Sequence, residues 1–192
     1  GITGGYATYG GGIYNEGGIF VHGGKIYGNK AQYKGGGIYN SGSISIDGGS
    51  ISDNNAEEMG GGIWNGGTLY VHGSVQVSGN HRGTANNSIF LPDGKYITMT
   101  GILADDASIY VSTEKISAKV TSGYSQYPYS TELIKPDADR VIVKENGEVY
   151  SYSYYIERFS DGTSTKRPLR PGEYSNFAVP ESRVLASGVY FV

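Results

Sequence analysis

The sequence predicts an all-β protein that folds as a right-handed parallel β-helix, with three short strands in each turn of about 25 residues. Three observations predict this fold. A glycine-triplet motif reads GGGIYN at residues 10–15 and 35–40, and GGGIWN at residues 60–65. Between the motifs, apolar and polar residues alternate with a period of two, which is the pattern of a strand. Gly and Asn separate these runs and tolerate the positive φ that a sharp corner requires.

The apolar residues of successive repeats fall into shared columns when the motifs are aligned. The columns are Ile13 with Ile38 and Ile63, Ile19 with Ile44 and Leu69, Val21 with Ile46 and Val71, and Ile26 with Ile51. Asn29 aligns with Asn54, and Asn80 follows one residue late. Parallel strands stack about 4.8 Å apart, so each column forms a continuous line of side chains. A single turn cannot bury its apolar face alone and therefore depends on its neighbours.

The chain is predicted to divide into two parts. Residues 1–122 hold the repeats and closing turns, and residues 123–192 form a β-rich C-terminal cap or a small appended β domain. Residues 122–139 are expected to be an irregular connection. Residues 140–159 are a predicted hairpin, because Asn146-Gly147 favours a two-residue type I′ turn. The preferred role of the second part is to cover the open end of the helix. The alternative is contact with a partner through its Tyr-rich strand.

The composition excludes several classes of function. The formal charge is −3 over 192 residues, and the one basic cluster, Lys166, Arg167 and Arg170, is too short for a nucleic-acid footprint. No run approaches the roughly 20 apolar residues of a membrane span. A chain without Cys suits a secreted bacterial surface protein that does without disulfides. We therefore expect an extracellular or cell-surface location, no nucleic-acid partner and no cofactor.

The first repeat raises a question about the N-terminal end of the helix. No segment before Ile2 is available to cap the first turn. The favoured interpretation is that the chain is excised from a longer β-helix with further GGGI repeats upstream. The alternative is that another molecule stacks end to end on this turn.

The repeat pattern, GGGIYN followed by GGxI and Asn, resembles the glycine-rich β-helix repeats of bacterial surface and adhesin-like proteins. It is also similar to the GGAI and FxxN repeats of chlamydial polymorphic outer-membrane proteins, with GGGI standing where GGAI would be. The resemblance covers residues 1–82 and, more loosely, residues 86–122. It implies a surface-exposed β-helix with a role in adhesion. Pectate-lyase-like enzymes share the architecture, but a shared fold does not imply a shared function.

The residue after the Ile of each motif is predicted to point outward. Tyr14, Tyr39 and Trp64 then form one outward aromatic column, and Phe90 is expected to extend it. The favoured interpretation is a structural ladder in which each ring covers the next. The alternative is a carbohydrate-stacking surface, since planar aromatic steps suit the faces of sugars.

A second outward column contains His22, Asp47 and His72 on three consecutive turns. At a spacing of about 4.8 Å, the carboxylate is expected to reach both imidazoles. Two His and one carboxylate also resemble a minimal metal-ligand set. The favoured interpretation is a hydrogen-bonded ladder without a metal, because flat outward ladders rarely converge on a single ion.

Catalytic motifs are absent from the sequence. The acidic pair Glu57 and Glu58 has no matching acids one turn earlier, and Asp105 and Asp106 lie in an apparent turn. The glycine runs are corners of the helix and not phosphate-binding loops. We therefore expect a non-catalytic adhesin or structural stalk that binds glycans or host or microbial surface proteins. The alternative is a fragment of a polysaccharide lyase or glycoside hydrolase on the same scaffold.

Overall fold

The computed structural model describes residues 1–127, 131–137, 140–159, 162–170 and 184–185. The chain is 58% strand and 3% helix, and its parallel strands stack into a β-solenoid of about five turns. The predicted all-β class and the predicted stacking of parallel strands are confirmed.

The strands of the described residues follow the chain as β1 (Tyr6–Tyr9), β2 (Ile13–Asn15), β3 (Gly18–Val21), β4 (Lys25–Tyr27), β5 (Lys30–Lys34), β6 (Ile38–Asn40), β7 (Ser43–Ser52), β8 (Asn55–Ala56), β9 (Ile63–Asn65), β10 (Thr68–Val77), β11 (His81–Arg82), β12 (Ala85–Asn86), β13 (Ile89–Leu91), β14 (Ile97–Leu103), β15 (Ser108–Thr113), β16 (Ala118–Lys119), β17 (Thr121–Ser122), β18 (Ile134–Pro136), β19 (Val141–Glu145), β20 (Glu148–Tyr152), β21 (Tyr154–Arg158), β22 (Ser164–Pro168) and β23 (Val184–Leu185). Two single-turn 3₁₀ helices span Tyr124–Gln126 and Thr131–Leu133.

Three parallel ladders correspond to the three strands predicted for each turn. The first, the glycine-triplet ladder, stacks β2, β6, β9, β13 and the end of β15. The second stacks β3, the first halves of β7 and β10, β14 and β17. The third stacks β4, the second halves of β7 and β10, the start of β15 and β18. In the second and third turns, two predicted strands are therefore joined into one strand of 10 residues.

A fourth ladder was not anticipated from the sequence. It stacks β1, β5, β8 and β11 in parallel, and β12 folds back on β11 as an antiparallel hairpin. Its inward residues are small, with Ala7 paired to Ala31 and Ala31 to Ala56. Ala31 and Ala56 are fully buried, so this ladder turns its small side chains toward the interior. The ladder has no β-branched column, which is why the strand pattern was weak.

The interior consists of the predicted apolar columns. Ile13 pairs with Ile38 and Ile38 with Ile63, and the column continues to Ile89. The parallel columns through Ile44, Ile46 and Ile51 are also in register with their predicted partners, and all three residues are at most 2% exposed. Like residues therefore lie above like residues, and they form one continuous hydrophobic core.

After residue 122 the chain first adds one more strand to the solenoid and then forms antiparallel strands outside its parallel ladders. The predicted irregular connection contains β18, whose Ile134 pairs in parallel with Ile109. The predicted hairpin is confirmed as β19 and β20, with Asn146 at φ 49° and Gly147 at φ 76°. These angles are those of the predicted type I′ turn.

Strand β20 lies against the last turns of the solenoid. The amide of Val120 donates to the carbonyl of Val149 over 2.7 Å, and the amide of Val149 donates to Oγ1 of Thr121 over 2.9 Å. Val149 and Tyr124 are fully buried in the same core as the stacked columns. The boundary at residue 122 and the capping role stay predictions, and residues 171–183 and 186–192 of the predicted cap lie outside the described residues.

Candidate functional site

The predicted aromatic column is present on the glycine-triplet ladder. The rings of Tyr14 and Tyr39 have centroids 5.0 Å apart and planes inclined by 2°. The rings of Tyr39 and Trp64 are 4.5 Å apart and inclined by 9°. Strands β2, β6 and β9 hold this geometry because each pairs in register with the next, with its Ile inward and its aromatic residue outward.

Phe90 continues the backbone register of the column but not its exposed surface. Its backbone pairs with that of Trp64. Its side chain is only 8% exposed, whereas Tyr14 is 52% exposed. All three residues of β13 are buried, because chain from later in the sequence packs against this strand. The stacked column therefore contains three rings, of which Tyr14 is exposed and Tyr39 and Trp64 are partly buried.

Two further tyrosines join the column from the fourth ladder. The ring centroid of Tyr9 lies 5.2 Å from that of Tyr39 and 5.5 Å from that of Tyr33. We refer to the five rings that these contacts connect as the aromatic patch: Tyr9, Tyr14, Tyr33, Tyr39 and Trp64. Tyr9 and Tyr33 were missed because their ladder was not predicted. One signal for this ladder was present in the sequence. Tyr9, Lys34 and Met59 each stand directly before a glycine triplet, and they pair in register in successive turns.

The stacking covers both faces of the central ring, that of Tyr39. Tyr39 has Tyr14 on one face and Trp64 on the other. The ammonium group of Lys34 lies 5.2 Å from the centroid of the Trp64 ring. A Cβ atom at Gly66 would lie 2.2 Å from Cη2 of Trp64, so the indole needs a glycine two residues later. A sugar ring therefore has no free face to stack on at Tyr39, as expected for a structural ladder.

The hydroxyl groups of the column are held in the neutral form. The phenol of Tyr14 donates a hydrogen bond of 2.8 Å to Oε1 of Glu16, and this bond raises the pKa of Tyr14 above its ordinary value. Burial raises the pKa of Tyr39, and nearby Tyr9 and Glu16 add to the effect. Tyr14 and Tyr39 therefore present neutral phenols at physiological pH.

The predicted His and Asp ladder forms only in its first half. Nδ1 of His22 lies 2.7 Å from Oδ2 of Asp47. Nδ1 of His72 instead lies 3.2 Å from Oγ1 of Thr100. The expectation that Asp47 reaches both imidazoles is wrong because the register between β7 and β10 shifts after Val71, so that His72 falls in an irregular pairing.

The acidic residues that sequence analysis considered make local contacts. Glu57 forms an exposed ion pair of 3.2 Å with Lys30, and Oδ2 of Asp106 accepts a 2.6 Å hydrogen bond from the hydroxyl of Ser74. No group of three or more His, Asp or Glu side chains suited to a metal ion occurs among the described residues. Within those same residues, no helix has the length and apolar character needed to cross a membrane.

Comparisons with known proteins leave the family open. A scan against protein-family models, a search of curated proteins and a search of solved structures each find no match.

Proposed function

We propose that this chain is a non-catalytic β-helix scaffold of a bacterial cell-surface or secreted protein, of adhesin type. Its aromatic patch contacts glycans or surface proteins. The observation that carries the proposal is that five aromatic rings are in continuous contact across two adjacent ladders. Tyr9, Tyr14 and Tyr33 are 40%, 52% and 44% exposed. Contiguous exposed aromatic surface of this kind is typical of interaction sites.

The physical chemistry of the patch supports recognition. Tyrosine offers a large amphipathic surface and loses little side-chain entropy on binding, because it has only two rotatable side-chain bonds. The stacked rings are already ordered by their neighbours, which lowers the cost of binding further. Because both faces of the central Tyr39 ring are covered, the patch suits a broad contact with a protein or glycan surface and not the capture of one sugar between ring faces.

The test is binding of the full 192-residue chain to glycan and protein-ligand arrays. We expect the double variant Y9A/Y33A to weaken binding to any captured ligand by roughly tenfold, the loss of about one buried aromatic anchor. The matched control is Tyr27→Ala, because Tyr27 is similarly exposed (41%) but lies on the third ladder. Equal losses for the two variants, or arrays without any captured ligand, would contradict the proposal.

Turnover is tested separately. The chain is incubated with pectin, alginate and host glycans, and unsaturated or reducing ends are measured. We expect no product, because the proposal assigns no catalytic group. Product formation would overturn it in favour of a polysaccharide lyase or glycoside hydrolase.

A further inference from the structure

A recess of about 390 Å³ lies beside the fourth and fifth turns, away from the first turns. It arises because two neighbouring ladders extend to different points along the axis of the solenoid. The fourth ladder ends at the hairpin of β11 and β12, whereas the glycine-triplet ladder continues through β13 to the end of β15. The wall that would continue the fourth ladder is missing, and the side of β13 and β15 forms the floor of the recess.

The lining of the recess includes a carboxylate, that of Asp137, which is fixed by the fold. Oδ2 of Asp137 accepts a 2.5 Å hydrogen bond from the amide of Ser88 and a 3.3 Å hydrogen bond from the hydroxyl of Ser112. Asp137 follows β18 directly, so its position is set by the pairing of β18 with β15. Both of these hydrogen bonds use Oδ2.

The rim of the recess carries polar side chains of several kinds. Arg82 and Asn86 project from the two strands of the hairpin and are exposed. No contact of the Arg82 guanidinium or the Asn86 amide is seen within the described residues. Glu114 lies on the opposite side, where its Oε2 accepts a 2.7 Å hydrogen bond from the amide of Asp93. Apolar surface comes from Met59 and Phe90.

This combination of groups favours a neutral ligand with many hydroxyls. The lining contains two carboxylates, Glu114 and Asp137, and two guanidinium groups, Arg82 and Arg140, so its formal charges cancel. It therefore favours neither a phosphate or sulfate nor a metal cation, which would also lack a third acidic ligand. A hydroxyl group donates one hydrogen bond and accepts others, so vicinal hydroxyls match a carboxylate beside a guanidinium and an amide. The volume lies within the range of small-molecule sites.

We propose that this recess binds one sugar residue of a glycan, with Asp137, Arg82 and Asn86 hydrogen-bonding its hydroxyls. The choice of a sugar rests on the proposed recognition function, but the residues are separate from the aromatic patch. The recess would therefore give the scaffold a defined point of attachment in addition to the broad surface of the patch.

The experiment titrates the isotope-labelled full chain with methyl glycosides of galactose, glucose, mannose and N-acetylglucosamine, and follows backbone amide signals by NMR. Concentrations up to about 10 mM detect an isolated site of millimolar affinity. We expect at least one glycoside to shift the signals of Arg82, Asn86 and Ser112 while the signals of Tyr14 and Tyr39 stay unchanged. If none of the four glycosides shifts signals at the recess, the proposal is wrong.

Variants locate the binding and separate the two proposals. Arg82→Ala and Asn86→Ala alter exposed hairpin side chains. Each is expected to lower the affinity for the glycoside by roughly threefold to tenfold. Lys25→Ala is the control, because it removes an exposed cation at the other end of the solenoid. Wild-type binding by both recess variants would overturn the assignment. If Y9A/Y33A loses glycoside binding, the sugar binds at the aromatic patch and not in the recess. If Y9A/Y33A loses binding to the array ligands but still binds the glycoside, the patch and the recess are two independent sites.

Discussion

Asn54 is held by the turns on both sides of it. Its Nδ2 donates to the carbonyl of Ile26 and to Oδ1 of Asn80, each over 2.9 Å. Its Oδ1 accepts from both the amide and Nδ2 of Asn29. The side chain is fully buried. Buried amides thus run through the corner in a ladder whose donors and acceptors all point the same way, and each one satisfies backbone groups that the corner leaves free.

Replacement of Asn54 by alanine is expected to destabilise the protein by about 3 kcal/mol or more. The reason is that the variant leaves buried donors and acceptors of two neighbouring turns unpaired. The measurement is the free energy of unfolding from chemical denaturation. The matched control is Asn55→Ala, which removes one partly exposed hydrogen bond to the carbonyl of Gly83 and is expected to cost less than about 1 kcal/mol. Equal losses of unfolding free energy at the two positions would contradict a stabilising role of the amide ladder.

Asp137 makes stability depend on pH in a direction unusual for a carboxylate. Burial raises its pKa from 3.8 to about 6, and the hydrogen bonds from Ser88 and Ser112 and the charge of His81 only partly oppose this effect. Between these two pH values the folded state holds the proton and the unfolded state does not. The contribution of Asp137 to the free energy of unfolding therefore falls as the pH rises from about 4 to about 6.

Asp137→Asn removes this titration and keeps the shape of the side chain. We expect the variant to gain stability relative to the wild type as the pH rises from 4 to 6, and to keep an advantage on the order of 1 to 3 kcal/mol at pH 7.5. Unfolding free energies of both proteins across this range provide the measurement, and groups common to both cancel in the difference. A variant less stable than the wild type at pH 7.5 would mean that the charged carboxylate stabilises the fold.

At the scale of the element, the glycine triplet allows each turn to touch the next. A Cβ atom at Gly36 would lie 2.4 Å from the carbonyl oxygens of both Asn55 and Gly61. Gly35 has a φ of +69°, which side chains rarely adopt. The triplet is therefore a close contact of backbone with backbone and is not a flexible loop.

Gly36→Ala is expected to lower stability by about 3 kcal/mol or more, because the backbone on both sides cannot move away from the added methyl group. Gly18→Ala is the control: nothing lies within 4 Å of the corresponding Cβ position. The control is expected to change stability by less than about 1 kcal/mol. Thermal unfolding followed by circular dichroism measures both. A Gly36→Ala protein as stable as the control would contradict the close contact.

A second ladder of buried asparagines, Asn15, Asn40 and Asn65, ends for a reason that lies in the local sequence. Asn15 donates to Asn40, and Asn40 donates to Asn65, each over 2.7 Å. In the next turn Leu91 follows the residue that pairs with Trp64, so no amide is present to accept from Asn65. Within the described residues, Nδ2 of Asn65 is accordingly buried without a hydrogen-bond partner. The repeat thus loses its polar ladder one turn before its apolar columns end.

At the scale of the molecule, stability is shared between neighbouring turns. Each ladder strand pairs with the turn before and the turn after, and side-chain hydrogen bonds join positions 25 residues apart. A solenoid of this kind tolerates the gain or loss of whole turns because every interface resembles the next.

Deletion of residues 35–59 should therefore leave a folded protein with one turn fewer. The deletion joins Lys34 to Gly60, where the next glycine triplet begins, and keeps every column in register. Circular dichroism is expected to show the same β signal per residue, with a lower unfolding temperature. The control removes residues 35–46, which breaks the register and is expected to abolish cooperative unfolding. An unfolded chain after the deletion of residues 35–59 would contradict the stacking of equivalent turns.

The stacking of equivalent residues in successive turns could be predicted from the sequence alone. In a solenoid the spatial neighbour of Ile38 is the residue one period away, so the repeat itself identifies Ile13 and Ile63 as partners. The same reasoning located the Tyr14, Tyr39 and Trp64 column. Local turn chemistry was sufficient for the hairpin at Asn146-Gly147. Each of these features is determined by period or by adjacent residues.

Other features were decided only by the tertiary structure. The register shift after Val71 turns His72 from Asp47 to Thr100, and later packing buries Phe90. The contact of Tyr9 with Tyr39 joins two different ladders, and Asp137 reaches Ser88 across 49 residues. The contacts of Tyr9 with Tyr39 and of Asp137 with Ser88 do not join equivalent positions of the repeat. Periodicity specifies what stacks along the axis of the solenoid, whereas contacts between its faces and at its irregular end depend on how the whole chain packs.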